Sequence, residues 1–149
     1  MPQYKKVSEI MTKDVTVIKP DDSLDKAAEK MRSHDVGLLP VCDGDKLRGM
    51  ISDRDIAIRA VADKKSPENT KVKDVMTEDV VYVYEDQDIL EAARLMEMKQ
   101  IRRLVVLNHD KRLVGIVSLG DISLQQKDKE LSGEILKEVS EPAKAELRA

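Results

Sequence analysis

The chain repeats itself. From Val7, VSEIMTKDVTVIKPDDSLDKAAEKM aligns with VKDVMTEDVVYVYEDQDILEAARLM from Val72 at a constant offset of 65 residues. The match runs on, with GLLPVCDGDK over RRLVVLNHDK. One residue is then added in the second copy's turn, and LRGMISDRDI from Leu47 lies over LVGIVSLGDI from Leu113 at an offset of 66. An insertion between strands is what a surface turn tolerates. A repeat of about 60 residues would be only marginally stable alone, so the two copies are expected to fold together.

Each copy carries the same run of elements. A short amphipathic turn (Val7, Ile10, Met11; Val72, Val75, Met76) leads into a β-branched run, Val15 to Ile18 or Val80 to Val83, that predicts a strand. Leu24, Ala27, Ala28 and Met31 then recur at i, i+3, i+4 and i+7, as do Ile89, Ala92, Ala93 and Met96, which predicts a helix with one apolar face. Ser23 and Asp88 stand at N-cap positions, and Asp88 with Glu91 has the spacing of a capping box. Two apolar strands joined by a polar turn come next, Leu38 to Cys42 with Arg48 to Ser52, and Leu104 to Leu107 with Val114 to Ser118; these predict antiparallel hairpins. Each second strand passes through Ser-x-x-Asp into a last helical stretch, Ile56 to Val61 or Ile122 onward. The fold class expected is α/β, built from two pseudo-symmetric β-α-β-β-α repeats packed as one module.

Composition narrows the partners. The 26 basic and 29 acidic residues nearly balance, whereas a nucleic-acid binder clusters Lys and Arg. Phe and Trp are absent and Tyr occurs three times, so platforms for stacking bases are lacking and no nucleic acid is expected. Cys42 is the only cysteine, which rules out an intrachain disulfide and points to a cytoplasmic protein. No window approaches the ~20 apolar residues of a membrane span, and the N-terminus lacks the apolar core of a secretory signal, so no membrane partner is expected. His34 and His109 have no neighbours that would form a triad or a metal site, and no phosphate-loop or zinc spacing occurs, so an enzyme is not expected.

The pattern of MT-x-D-V, a helix, an LPV-like strand and G-x-(I/V)-S-x-x-D-I, present twice in register, resembles the CBS domain, the cystathionine β-synthase type. Two in tandem resemble a CBS pair, or Bateman module, of the stand-alone prokaryotic kind. The resemblance covers residues 7 to about 126. It divides the chain into repeat 1 at 7–64, a linker at 65–71 around Pro67, repeat 2 at 72–126, and a charged, helical C-terminal tail at 127–149. It also implies a regulatory role: clefts between the repeats that bind adenine nucleotides such as AMP, ADP or ATP, pairing into a homodimer, and action in trans on an effector protein the sequence does not name. No cofactor is required, the nucleotide being a regulatory ligand. A protein-interaction module with empty clefts is the alternative, or a binder of S-adenosylmethionine, an NAD-type ligand or a metal.

The residues support a ribose-phosphate reading. Ser52 and Ser118 end strands at helix starts, where a hydroxyl and free N–H groups favour phosphate. Asp55 and Asp121, three residues on, can accept hydrogen bonds from the two ribose hydroxyls. The competing role for each Ser and Asp is simply to cap the helix. By the resemblance, a favoured cleft combines Thr16, Val36, Gly37 and Leu38 with Ser118 and Asp121, and Arg102 or Arg103 holds phosphate bidentately. A second combines Val81, Ile101 and Arg102 with Ser52, Asp55 and Arg54. Adenine would lie between aliphatic side chains such as Val15, Val17, Val36 or Val81. Gly37 and Leu38 align with Arg102 and Arg103, so the two clefts are expected to be chemically unlike. Arg103 reads equally well as a solvated strand-edge charge, Arg54 and Arg59 read better as solvated charges than as ligand contacts, and Met11 and Met76 read as core rather than ligands.

Overall fold

The two long amphipathic runs are helical in the computed structural model, which describes residues 4–125. The helix α1 is a single turn, Val7–Ile10, and α2 is Leu24–His34. The strands β1 (Leu38–Asp43) and β2 (Lys46–Ser52) follow. A turn of helix, α3 (Asp53–Asp55), then continues into a π-helix, Ile56–Val61, and a 3-10 turn covers Val72–Asp74. The second half holds β3 (Tyr82–Tyr84), α4 (Ile89–Lys99), β4 (Arg103–Leu107), β5 (Leu113–Ser118) and α5 (Leu119–Gln125). The expected helical tail at 127–149 lies outside the described residues.

β1 and β2 form the expected antiparallel hairpin, with Leu38 opposite Ser52 and a register shift at Val41/Cys42. β3 pairs in parallel with β4, and β4 is hydrogen-bonded to β5. The strand expected at Val15 to Ile18 is not formed. Ile18 alone bridges to Val41, donating its N–H to Pro40 and accepting from Cys42. The cause is proline on both sides: Pro40 stands where the second copy has Val105, and Pro20 where it has Glu85, whose N–H donates to Leu107. Neither proline has an N–H to extend the ladder. In α2 Leu24, Ala27 and Met31 are buried but Ala28 is exposed; its counterpart Ala93 is buried with the rest of its stripe.

The chain divides into two compact units, and they do not follow the repeats as aligned. A β1–β2 unit comprises Val15–Val80 with Lys111–Leu113. A β3–β5 unit comprises described residues 4–14, 81–110 and 114–125. Each repeat's opening segment therefore serves the other repeat's core. Val7 is fully buried among Val83, Ile89, Met96, Leu104, Val117 and Ile122; Val72 and Val75 are buried among Ile18, Leu24, Leu39, Val41 and Ile51. The main chain repeats the exchange. Lys6 bridges Asp88 and Thr12 bridges Ile116 in one unit, while Lys71 bridges Ser23 and Thr77 bridges Met50 in the other. Met11 and Met76 pack against the respective cores, as expected. Burying these apolar side chains supplies the main stabilisation, about 1.5–3 kcal/mol for each large one.

Candidate functional site

In the β3–β5 unit, the end of β5 turns straight into α5. Ser118 and Asp121 cap that turn reciprocally: the Asp121 N–H donates to Ser118 Oγ at 3.0 Å, and the Ser118 N–H donates to Asp121 Oδ2 at 2.9 Å. The capping role is therefore realised. It occupies one carboxylate oxygen only, and among the described residues Asp121 Oδ1 has no hydrogen-bond or ion-pair partner. The Leu119 N–H donates to the Arg102 carbonyl at 2.8 Å, which ties the start of α5 to the entrance of β4. Arg102 and Arg103, both exposed, line a cavity of about 500 Å³ together with Ser118, Leu119 and Gly120. That volume lies within the range of small-molecule sites. A pair of guanidinium groups on its wall suits an anionic ligand.

The β1–β2 unit builds the same corner with different contents. The Asp55 N–H donates to Ser52 Oγ at 3.0 Å, the Ser52 N–H donates to Asp55 Oδ2 at 2.9 Å, and the Asp53 N–H donates to the Gly37 carbonyl at 2.9 Å. Here the second carboxylate oxygen is engaged. Asp55 Oδ1 lies 3.5 Å from Thr77 Oγ1 and 3.9 Å from Arg59 Nε. The Asp53 carboxylate crowds Gly37, where an added Cβ would come within 2.8 Å of its Oδ2. A side chain at position 37 would first have to push that carboxylate aside. The Arg54 side chain is exposed.

The remaining expected residues fall as follows. Thr16, Val36, Gly37 and Leu38 belong to the β1–β2 unit, while Arg102, Arg103, Ser118 and Asp121 belong to the β3–β5 unit. Val81 and Ile101 belong to the β3–β5 unit, half-buried against its core; Ser52, Arg54 and Asp55 belong to the other. Thr16 and Leu38 are half-buried and Val36 is exposed. Arg59 is exposed, in keeping with a solvated charge, yet it is also tied to the fold. Its guanidinium donates to the carbonyls of Val75 and Met76 at 3.3 and 3.2 Å as well as facing Asp55. Its position four residues after Asp55 was the available signal, because i and i+4 are neighbours on a helix.

Cys42 is buried, and burial, with the charge of Asp45 adding, pushes its thiol up to about 11. His109 is exposed, stacked on the Tyr84 ring, with Nε2 2.9 Å from Asp86 Oδ2, and that hydrogen bond holds the Asp86 carboxyl below its ordinary value. Among the described residues no group of three or more His, Cys, Asp or Glu could hold a metal ion, and no helix is long and apolar enough to cross a membrane.

Comparison with known proteins agrees with the repeat. The family model of the CBS domain matches residues 7–61 and 72–126. Uncharacterized protein YlbB of Bacillus subtilis is 41% identical over 138 residues, covering 91% of this chain and 92% of its own. The crystal structure of Hypoxic Response Protein I with two coordinated zinc ions is similar at a TM-score of 0.75 and 36% identity, covering 82% of this chain and 99% of that one. The crystal structure of CBSX2 in complex with AMP is similar at a TM-score of 0.69 and 31% identity, covering 80% and 93%.

Proposed function

The chain belongs to the CBS-domain family, and we propose that it is a regulatory module that senses an adenine nucleotide, AMP, ADP or ATP, and acts on a partner protein in trans. The observation that carries this reading is the Ser118–Asp121 corner. A carboxylate oxygen without a partner among the described residues stands next to Ser118, a wall residue of a cavity that also carries Arg102 and Arg103. A carboxylate accepts from vicinal ribose hydroxyls, and guanidinium groups donate to phosphate. The separation of the two charges orients such a ligand. The likeness to a structure that holds AMP supports the same class.

Two arginines disfavour a sulfonium ligand such as S-adenosylmethionine by like-charge repulsion, relative to a nucleoside phosphate. Ligand binding acts by favouring whichever conformation holds it better, which the partner then reads. The nucleotide is a regulatory ligand and no cofactor or catalysis is involved. In this reading the repeats run 7–64 and 72–126 about a linker at 65–71, and the protein works as a cytoplasmic homodimer. The lone, buried Cys42 is compatible with a reducing compartment.

Calorimetry and thermal shift with AMP, ADP, ATP, adenosine, NAD, S-adenosylmethionine and divalent metals test the proposal. Nucleoside phosphates should bind more tightly than adenosine. Arg102→Ala and Arg103→Ala should each weaken the phosphates by about 1.5–3 kcal/mol, the worth of a hydrogen bond to a charged group, and leave adenosine unaffected. Asp121→Ala should weaken both. No binding by any of these ligands overturns the sensor reading and leaves a protein-interaction module.

A further inference from the structure

The two Ser-x-x-Asp corners share their cap geometry and differ in what holds the carboxylate oxygen left over. In the β1–β2 unit, Asp55 is nearly enclosed, its side chain 15% exposed, and its Oδ1 faces Arg59 Nε at 3.9 Å and Thr77 Oγ1 at 3.5 Å. The Arg59 guanidinium is itself held, donating to the main-chain carbonyls of Val75 and Met76. Arg59 sits in the π-helix Ile56–Val61 that follows directly on Asp55. Such wide turns re-aim side chains, and they recur at functional sites. A guanidinium anchored to two carbonyls does not swing clear of Asp55 without giving up both. In the second copy, the sequence places the neutral Gln125 where the first has Arg59, and Asp121 Oδ1 has no partner among the described residues.

We infer that Arg59 is an internal latch on Asp55, and that it makes the Ser52–Asp55 corner the weaker of two nucleoside sites. The inference rests on the reading that these aspartates accept from ribose. A ribose arriving at Asp55 competes with the Arg59 and Thr77 contacts, whereas Asp121 Oδ1 has no such contact among the described residues. The Asp53 carboxylate beside Gly37 adds to the difference by opposing a phosphate where the other corner offers two arginines. The sites are then graded: one fills at low nucleotide concentration, and the other responds only when the concentration rises.

The test is calorimetry with AMP on the full chain. Wild type should show a tight and a weak site, and Asp121→Ala should leave only the weak one. Adding Arg59→Gln to Asp121→Ala should tighten that remaining site about two- to fivefold, the worth of a half-exposed ion pair. Arg59→Met, which keeps the aliphatic stem, should do the same, and serves if the Gln variant unfolds early in a melting control. Adding Asp55→Ala should abolish the gain. Unchanged or weaker binding in both Arg59 variants overturns the latch, weaker binding meaning that Arg59 serves the ligand itself. Two sites of equal affinity in the wild type also overturn it. No AMP binding by the wild type overturns the nucleotide reading, and this inference with it.

Discussion

At Gly115 and Gly49 the exchanged opening segments press close on their sheets, and replacing either glycine with Ala should be costly. A Cβ on Gly115 would lie 2.8 Å from the Thr12 carbonyl oxygen, 2.6 Å from Met11 Sδ and 2.9 Å from Met11 Cγ. The methionine end is flexible and can turn aside. The carbonyl cannot, because Thr12 and Ile116 exchange hydrogen bonds of 2.8 and 3.0 Å. Relaxing a carbon–oxygen contact to about 3.3–3.6 Å moves that carbonyl by roughly 0.5–0.8 Å. The shift weakens a bond worth about 0.5–1.5 kcal/mol and adds overpacking strain of about 1–3 kcal/mol. Against this, replacing Gly stiffens the unfolded chain and returns about 0.4–1 kcal/mol. The net is a destabilisation of about 1–3 kcal/mol, or a melting point about 2–12 °C lower for a chain of this size. Gly49→Ala should behave alike, since its Cβ would lie 2.7 Å from the Thr77 carbonyl. Gly120→Ala is the control. Its Cβ would meet only Ser118 Oγ, at 3.6 Å, and the helix should gain about 0.5–1 kcal/mol. Scanning calorimetry of the ligand-free variants decides the matter. If Gly115→Ala melts as high as Gly120→Ala, the close approach of Thr12 to β5 is refuted.

Two further outcomes follow from the ionisable groups. With its thiol raised from 9.0 to about 11, Cys42 at pH 8 carries about a hundredfold less thiolate than an ordinary thiol. Iodoacetamide labelling of the native protein should therefore be slower than in denaturant by at least that factor; comparable rates would place Cys42 at the surface. Asp21 is held below its ordinary 3.8, first by its hydrogen bond from Lys73 and then by the charges of Lys73 and Lys71. A carboxyl lowered on folding contributes stability that is fully present above its unfolded pKa and lost as pH falls through the lower folded value. Thermal stability should thus decline below about pH 4, and less steeply in Lys73→Met; identical acid profiles for the two proteins would remove Asp21 from the account.

The repeat and its buried stripe were legible because burial follows period. Ile89, Ala92, Ala93 and Met96 are all inside, as spaced. Local chemistry was less legible. Ser23 stands at the N-cap of α2 but its hydroxyl donates to Asp25, while Asp88 does accept from the Glu91 N–H and the Glu91 carboxylate accepts from Gln87. The strand at Val15 to Ile18 failed on prolines that lie outside its own window. The exchange of openings was invisible for a different reason. An alignment shows that Val7 and Val72 are equivalent, yet says nothing of which copy's sheet each one meets. At the candidate site, the Ser-x-x-Asp pairs and the Arg102–Arg103 contrast with Gly37 and Leu38 were visible as residue types. The state of the spare carboxylate oxygen was not, because it depends on Thr77 and Arg59, side chains brought to Asp55 by the fold.

The exchange also sets the order in which the chain can fold as it is made. Nearly all of the β1–β2 unit lies within Val15–Val80, so it can close while the remainder is still being synthesised, completed later by Lys111–Leu113. Val7, by contrast, packs with side chains as far along as Val117 and Ile122, so α1 is made well before the side chains that bury it. Through that interval α1 must wait as exposed apolar chain. A lesion in α1 is thereby felt in the unit built from the second repeat, which is made after it.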